Sequence, residues 1–153
     1  MIEIKTEIDV TEKKAVFDLW NAEYPASIGY ESTAGLDAFL DGIGDKRHYL
    51  LRDADGNLKA WLVAFTRDGE RWFSIIVDSR EQKKGFGRRL LDEVKKHETA
   101  LCGWVAGGSD QKKRDGSPYL SPLEFYRKIG FAVFPEITYE KGGFRAVKIK
   151  WTR

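Results

Sequence analysis

The stretch that decides the reading is Ile75-Ile76-Val77-Asp78-Ser79-Arg80-Glu81-Gln82-Lys83-Lys84-Gly85-Phe86-Gly87-Arg88-Arg89-Leu90-Leu91. It opens with a continuous apolar run, the pattern of a strand covered on both faces and therefore central in its sheet. It closes in a helical pattern from Gly85 to about His97, with Phe86, Leu90, Leu91 and Val94 along one side. A helix start leaves several backbone N–H groups unpaired and carries positive partial charge. An anion lodged there gains several hydrogen bonds at once. Gly85 and Gly87 lack Cβ atoms, so the backbone can approach phosphate oxygens closely. Lys83, Lys84, Arg88 and Arg89 add positive charge around the rim. No Gly-Lys-Ser/Thr closes the loop, and the third glycine of a dinucleotide fingerprint is replaced by Leu90.

Working outward, Ile2, Ile4 and Ile8 predict a first strand, and Thr11 caps a helix through about Asn21. Glu23 to Glu31 reads as a loop, and Thr33 to about Leu40 as a second helix ended by Gly42 and Gly44. His48–Arg52, Leu58–Thr66 and Trp72–Val77 follow as strands joined by turns at Asp53–Asn57 and Asp68-Gly69. Beyond the glycine loop come a strand at Leu101–Ala106 and a polar loop from Gly107 to Ser117. A short helix follows at Pro122–Ile129, capped by Ser121, then strands at Phe131–Phe134 and Phe144–Trp151. The order β-α-α-β-β-β-α-β-α-β-β argues a mixed sheet with helices on its faces.

With 153 residues, no repeat and no linker, residues 1–153 read as a single domain. No apolar run approaches the roughly 20 residues of a membrane span. Nor does the N-terminus have the layout of a secretory signal, so a cytoplasmic location is expected. One cysteine, Cys102, and two histidines, His48 and His97, make a metal centre improbable. A net charge of +2 is too mild for a nucleic-acid binder. Cys102 reads as a small buried hydrophobe, and Lys112-Lys113-Arg114 as a solvated loop. Trp61, Trp72, Trp104 and Trp151 read as core.

Val77 followed by Gln82-Lys83-Lys84-Gly85-Phe86-Gly87 resembles the acyl-CoA-binding motif of the GNAT superfamily of N-acyltransferases, a Gln/Arg-x-x-Gly-x-Gly/Ala loop after an apolar strand. Downstream, Phe125-Tyr126-Arg127-Lys128-Ile129-Gly130-Phe131 resembles the family's Tyr-x-x-x-Gly-Phe stretch. The element order agrees along the whole chain. The resemblance implies a mixed, mostly antiparallel sheet of about seven strands flanked by about four helices.

It also implies transfer of an acetyl group from acetyl-CoA to a primary amine, without a metal. Ile75, Ile76, Val77, Gln82, Lys83, Lys84, Gly85, Phe86, Gly87 and Arg88 would bind the cofactor. The pantetheine arm would pair with the strand backbone, and an N–H near Ile76 or Val77 would polarise the thioester. Tyr126 matches the family's proton donor to the leaving thiolate, with Tyr119 second in line. The family's early-strand glutamate falls near Arg71, which makes its neighbour Glu70 the candidate base; His48, Glu23 and Asp110 are no better supported. The family's asparagine after the fifth strand has no counterpart, Gly107-Gly108-Ser109-Asp110 standing there instead. Trp20, Tyr24 and Tyr30 would wall the acceptor site or else pack in the core. The expected partner is a small-molecule or peptide amine, with the chain a monomer or homodimer. Two other readings compete: a CoA- or nucleotide-binding module without catalysis, and a nucleic-acid-binding domain using the basic loops.

Overall fold

A computed structural model of the chain describes residues 2–107 and 111–153, with the backbone alone at 81–83. Seven strands form one sheet in the order β1-β2-β3-β4-β5-β7-β6. They are β1 (Ile2–Lys5), β2 (Gly44–Arg52), β3 (Leu58–Arg67), β4 (Glu70–Val77), β5 (Ala100–Ala106), β6 (Ala132–Lys141) and β7 (Phe144–Thr152). All neighbours are antiparallel except β4 and β5. Four helices flank them: α1 (Val10–Glu23), α2 (Thr33–Asp41), α3 (Phe86–Lys95) and α4 (Leu123–Lys128). The expected fold class and element order are borne out. Among the described residues no helix is long and apolar enough to cross a membrane.

The sheet separates two cores. On one face Val16, Leu19 and Trp20 of α1 and Leu36 and Leu40 of α2 meet Trp61, Val63 and Phe65 of β3. On the other, Leu90, Leu91 and Val94 of α3 meet Ala60, Leu62 and Ala64. β3 is therefore the strand buried on both faces. The three α3 residues are fully buried, each worth roughly 1.5–3 kcal/mol. That clamps the start of α3 to the end of β4.

Several boundaries differ from expectation, each for a local reason. α1 begins at Val10 because Asp9 and Glu12 form a reciprocal capping box. Asp9 accepts from the Glu12 N–H at 2.8 Å, while Glu12 accepts from the Asp9 N–H at 2.9 Å. Thr11 lies inside the helix. β6 runs on to Lys141 instead of stopping at Phe134; a register shift between Phe134 and Thr138 accommodates Pro135 on this edge strand. The Ser121 hydroxyl does not cap α4 but donates to the Ala106 carbonyl at 2.6 Å, tying the loop before α4 to the end of β5.

Glu12 also accepts from Lys5 Nζ at 2.9 Å and Arg52 Nη2 at 2.8 Å, joining β1, β2 and α1. Burial opposes its ionisation, but the hydrogen bonds from Lys5 and the Asp9 N–H outweigh that and hold the carboxyl below its usual range. Glu12→Ala is expected to lower the unfolding free energy by about 2 kcal/mol. Urea denaturation measures it, and an unchanged midpoint would show that this network does not hold α1 to the sheet.

Candidate functional site

β3 and β4 pair along their full length, from Arg67↔Glu70 to Ala60↔Val77. β4 and β5 pair only at Trp72↔Cys102. Beyond that bridge the parallel strands part and open a cleft in the middle of the sheet. The rings of Trp72 and Trp104 lie 5.1 Å apart near its root. The apolar end of β4 is therefore less covered than a central strand should be. Ile76 is buried, but Ile75 and Val77 remain partly exposed.

The backbone follows the same logic. The Asp78 N–H donates to the Lys59 carbonyl of β3 at 2.9 Å. The Ile75 carbonyl instead accepts from the Tyr24 hydroxyl at 2.9 Å. Peptide groups along a strand alternate between its two edges. Those of Ile75 and Val77 therefore face the cleft, while those of Ile76 face β3. This narrows the expected polarising donor near Ile76 or Val77 to the Val77 side of the pair.

A turn of 3-10 helix, Ser79–Lys84, leads from β4 to α3, and Gly85 ends it with φ 75° in the left-handed region. That backbone is what requires glycine there. Gly87 has no such requirement, and a Cβ on it would make only an ordinary 3.5 Å contact with Val77 Cγ2. Neither backbone nor packing within the chain demands glycine at 87. The first-turn N–H groups of α3 thus emerge beside the end of β4 with room in front of them. No acidic residue lies in that turn. Arg88 pairs with Asp92 at 3.2 Å, and Arg89 lies over the Phe86 ring at 5.6 Å. Ile75, Val77, Gly85, Phe86, Gly87 and Arg88 are thus contiguous. The side chains of Gln82 and Lys83, and all of Asp110, lie outside the described residues.

The cleft opens into a cavity of about 600 Å³. Trp20, Tyr24 and Tyr30 wall it, and Tyr119 and Tyr126 line it near β5. Tyr126 packs edge-on against Phe73, Phe125 and Phe131 with centroids 5.3–5.9 Å away. Its hydroxyl has no hydrogen bond among the described residues, yet it is not sealed off. Burial, with Tyr119 nearby, pushes its pKa well above the usual tyrosine value. Burial pushes Tyr119 up to about 12. Tyr24 is raised as well, by burial and then by Tyr119 and Tyr126. These phenols stay protonated at neutral pH and act as hydrogen-bond donors.

Other expectations are redirected. Glu70 lies at the far end of β4 and does not line the cavity. Its carboxylate accepts from Lys148 at 2.9 Å and Lys150 at 3.0 Å, and these bonds bring it down to about 2. The expected base is thus ion-paired to β7 and set apart from the cavity lining. His48 is buried, accepts from Trp61 Nε1 at 3.1 Å, and is lowered to about 4 by burial. Glu23 accepts from the Ser79 N–H and from Lys113 Nζ, both at 2.9 Å. Lys113 is therefore not part of a solvated basic run, and Arg114 donates to the Tyr30 carbonyl at 3.2 Å. Cys102 is buried, its thiol pushed up to about 11 by burial and by its bond to Glu70. Trp72 is buried in the core as expected, with the partly buried Trp104 packed against it, and both also line the cavity, as do Arg67 and Lys141, neither of which the sequence singled out. A charge at Arg67, directly after a buried strand, was a weak signal; Lys141 offered none.

Residues 44–133, from β2 to the start of β6, match the family described as acetyltransferase (GNAT) domain. The fold is shared with aminoglycoside 6'-acetyltransferase type Ii (17% identity, TM-score 0.72, covering 99% of this chain and 96% of that one). It is shared with an aminoglycoside 6'-N-acetyltransferase complexed with coenzyme A (15% identity, TM-score 0.70, 99% and 96%). It is shared too with the ribosomal-protein-S18-alanine N-acetyltransferase from Escherichia coli (17% identity, TM-score 0.66, 99% and 94%). At such identities the likeness is one of fold. No curated protein matches the chain in sequence.

The depressed Glu70 carboxyl has a signed consequence. Its folded value of about 2 lies below the ordinary 4.5, so its contribution to stability is full above pH 4.5 and lost as pH falls toward 2. Thermal unfolding of the chain and of Glu70→Gln across this range is expected to give a Tm gap that is widest near neutrality and closes in acid. A gap independent of pH would contradict the assignment.

Proposed function

This chain belongs to the GNAT acetyltransferase family, and we propose that it transfers an acetyl group from acetyl-CoA to a primary amine by direct attack on the thioester. The observation that carries the proposal is the parting of β4 and β5 after one bridge. It leaves a strand edge and a helix N-terminus side by side, opening onto an aromatic cavity. Acetyl-CoA supplies the activated acyl group.

The chain's own residues then divide the work. N–H groups from Lys84 to Arg88 hold the diphosphate, and the bare Cα of Gly87 lets its oxygens come close. Gln82 and Lys83 join this loop on the family pattern. Peptide groups of Ile75 and Val77 pair with the pantetheine amides as an added strand would. The Ile75 carbonyl has a second lone pair, so the Tyr24 hydroxyl need not leave it. Ile76 supports this edge from the opposite core. A Val77 N–H aimed at the thioester carbonyl stabilises developing negative charge, an effect typically worth a few kcal/mol.

Tyr126 donates a hydrogen bond to the departing sulfur. Its raised pKa makes it a weaker acid than a thiol of ordinary pKa about 8.5. Donation without full transfer therefore suits it, the sulfur taking its proton from solvent. Tyr119 is the second hydroxyl at the same place. Among the described residues the cavity lining carries no carboxylate or imidazole. In this reading water takes the amine's proton, and Glu70, held by Lys148 and Lys150, takes no part.

Release of free thiol from acetyl-CoA across a panel of amines tests the reaction. Tyr126→Phe is expected to keep coenzyme A binding in calorimetry and to lose about tenfold or more in turnover. Unchanged turnover would remove Tyr126 from the mechanism. Gly87→Asp sets a side chain and a negative charge against the diphosphate, and is expected to weaken coenzyme A binding at least about 100-fold. Tight binding by that variant would contradict this location.

A further inference from the structure

The charge lining the acceptor side of the cavity is of one sign. Arg67 ends β3 and Lys141 ends β6, and both border the cavity. Among the described residues neither forms an ion pair with a carboxylate. Asp68, next to Arg67, is exposed and does not line the cavity, while Glu70 pairs with Lys148 and Lys150, and Glu140 with Arg145. The Arg67 guanidinium lies over the Phe65 ring, 5.0 Å from its centroid. Such stacking orients the fork of donors while leaving its edge open. The same lining includes the rings of Trp20, Tyr30, Phe39 and Trp72.

We propose, resting on the acetyl-transfer reading above, that the acceptor is a small amine bearing its own carboxylate, an amino acid with an apolar side chain. Its carboxylate pairs with one of the two cations, Arg67 or Lys141, its apolar body lies among the rings, and its amine points to the cleft. A carboxylate leaving water for an aromatic cavity requires a charged partner, and here two cations await one. A polyamine or aminoglycoside would meet the reverse situation. Its further ammonium groups would face Arg67 and Lys141, with no carboxylate of the described lining to pair with. The rings attract a cation only weakly by comparison with a like-charge conflict in a partly desolvated site. The amine's own neutral form is needed for attack, so the recognition charge must sit elsewhere on the acceptor, and a carboxylate fits that division.

The test uses the cavity's own tryptophans, Trp20, Trp72 and Trp104, as reporters. L-Leucine and L-phenylalanine are titrated against their α-amides and against spermidine, following intrinsic fluorescence with and without coenzyme A. The free acids are expected to bind about tenfold or more tightly than their amides, with spermidine weakest. Arg67→Gln with Lys141→Gln is expected to erase the preference for acid over amide, and Arg67→Lys alone to retain part of it. Equal or better binding of the amides or spermidine by the unaltered chain would overturn the proposal. So would no binding of either acid, or a double variant that keeps the preference. Thiol release is run beside the titrations. Turnover of any amine keeps the acetyl-transfer reading whatever the preference, and its absence with every amine removes that reading while the titrations still decide the charge preference. The two ideas therefore fail separately.

Discussion

The rest of the structure depends on one missing ladder. A sheet normally satisfies the peptide groups of each interior strand from both sides. Here β4 and β5 share one bridge, at Trp72 and Cys102, and then diverge. The end of β4 is left as an interior edge, with peptide groups and two apolar side chains, Ile75 and Val77, incompletely covered. Such an edge is costly unless something completes it. The surrounding elements hold it open: α3 packs against β3 on one side, and Ser121 ties the loop before α4 to the end of β5 on the other. Glu23 bridges Ser79 and Lys113 across the same region.

The edge has a helix N-terminus for its neighbour. Gly87 lies against Val77, so the helix N-terminus and the strand edge form one continuous surface. An anion with an amide-bearing tail suits both parts at once. The tyrosine hydroxyls near β5 complete the arrangement from the opposite wall. Burial keeps them protonated, and a site of protonated phenols and backbone N–H groups donates hydrogen bonds without accepting a proton.

The fold was legible because its signals are local. Alternation marked the strands, and the switch of period after Val77 marked the loop and α3. The loop between β4 and α3 was legible too, since glycines and basic residues between a strand and a helix form a compact pattern. The misses share a cause: they depend on what lies across space. The expected strand stopped at Phe134, yet β6 runs on past Pro135 because an edge strand tolerates it with a bulge. Glu70 looked available until Lys148 and Lys150, on a distant strand, took its carboxylate. Trp72 and Trp104 belong with the core as expected, but the divergence of their strands also brings them to a cavity. Arg67 and Lys141 line one cavity from the ends of two different strands, so no sequence window contains both.

The central claim is that the free edge of β4 and the first turn of α3 together receive acetyl-CoA. Residue-resolved amide hydrogen exchange, with and without coenzyme A, tests it most directly. In the free chain the Ile75 and Val77 amides should exchange faster than that of Ile76, which faces β3. Adding coenzyme A should slow exchange at Ile75, Val77 and Phe86 to Arg88 together. Protection that arises elsewhere, or that leaves the β4 edge untouched, would contradict the account.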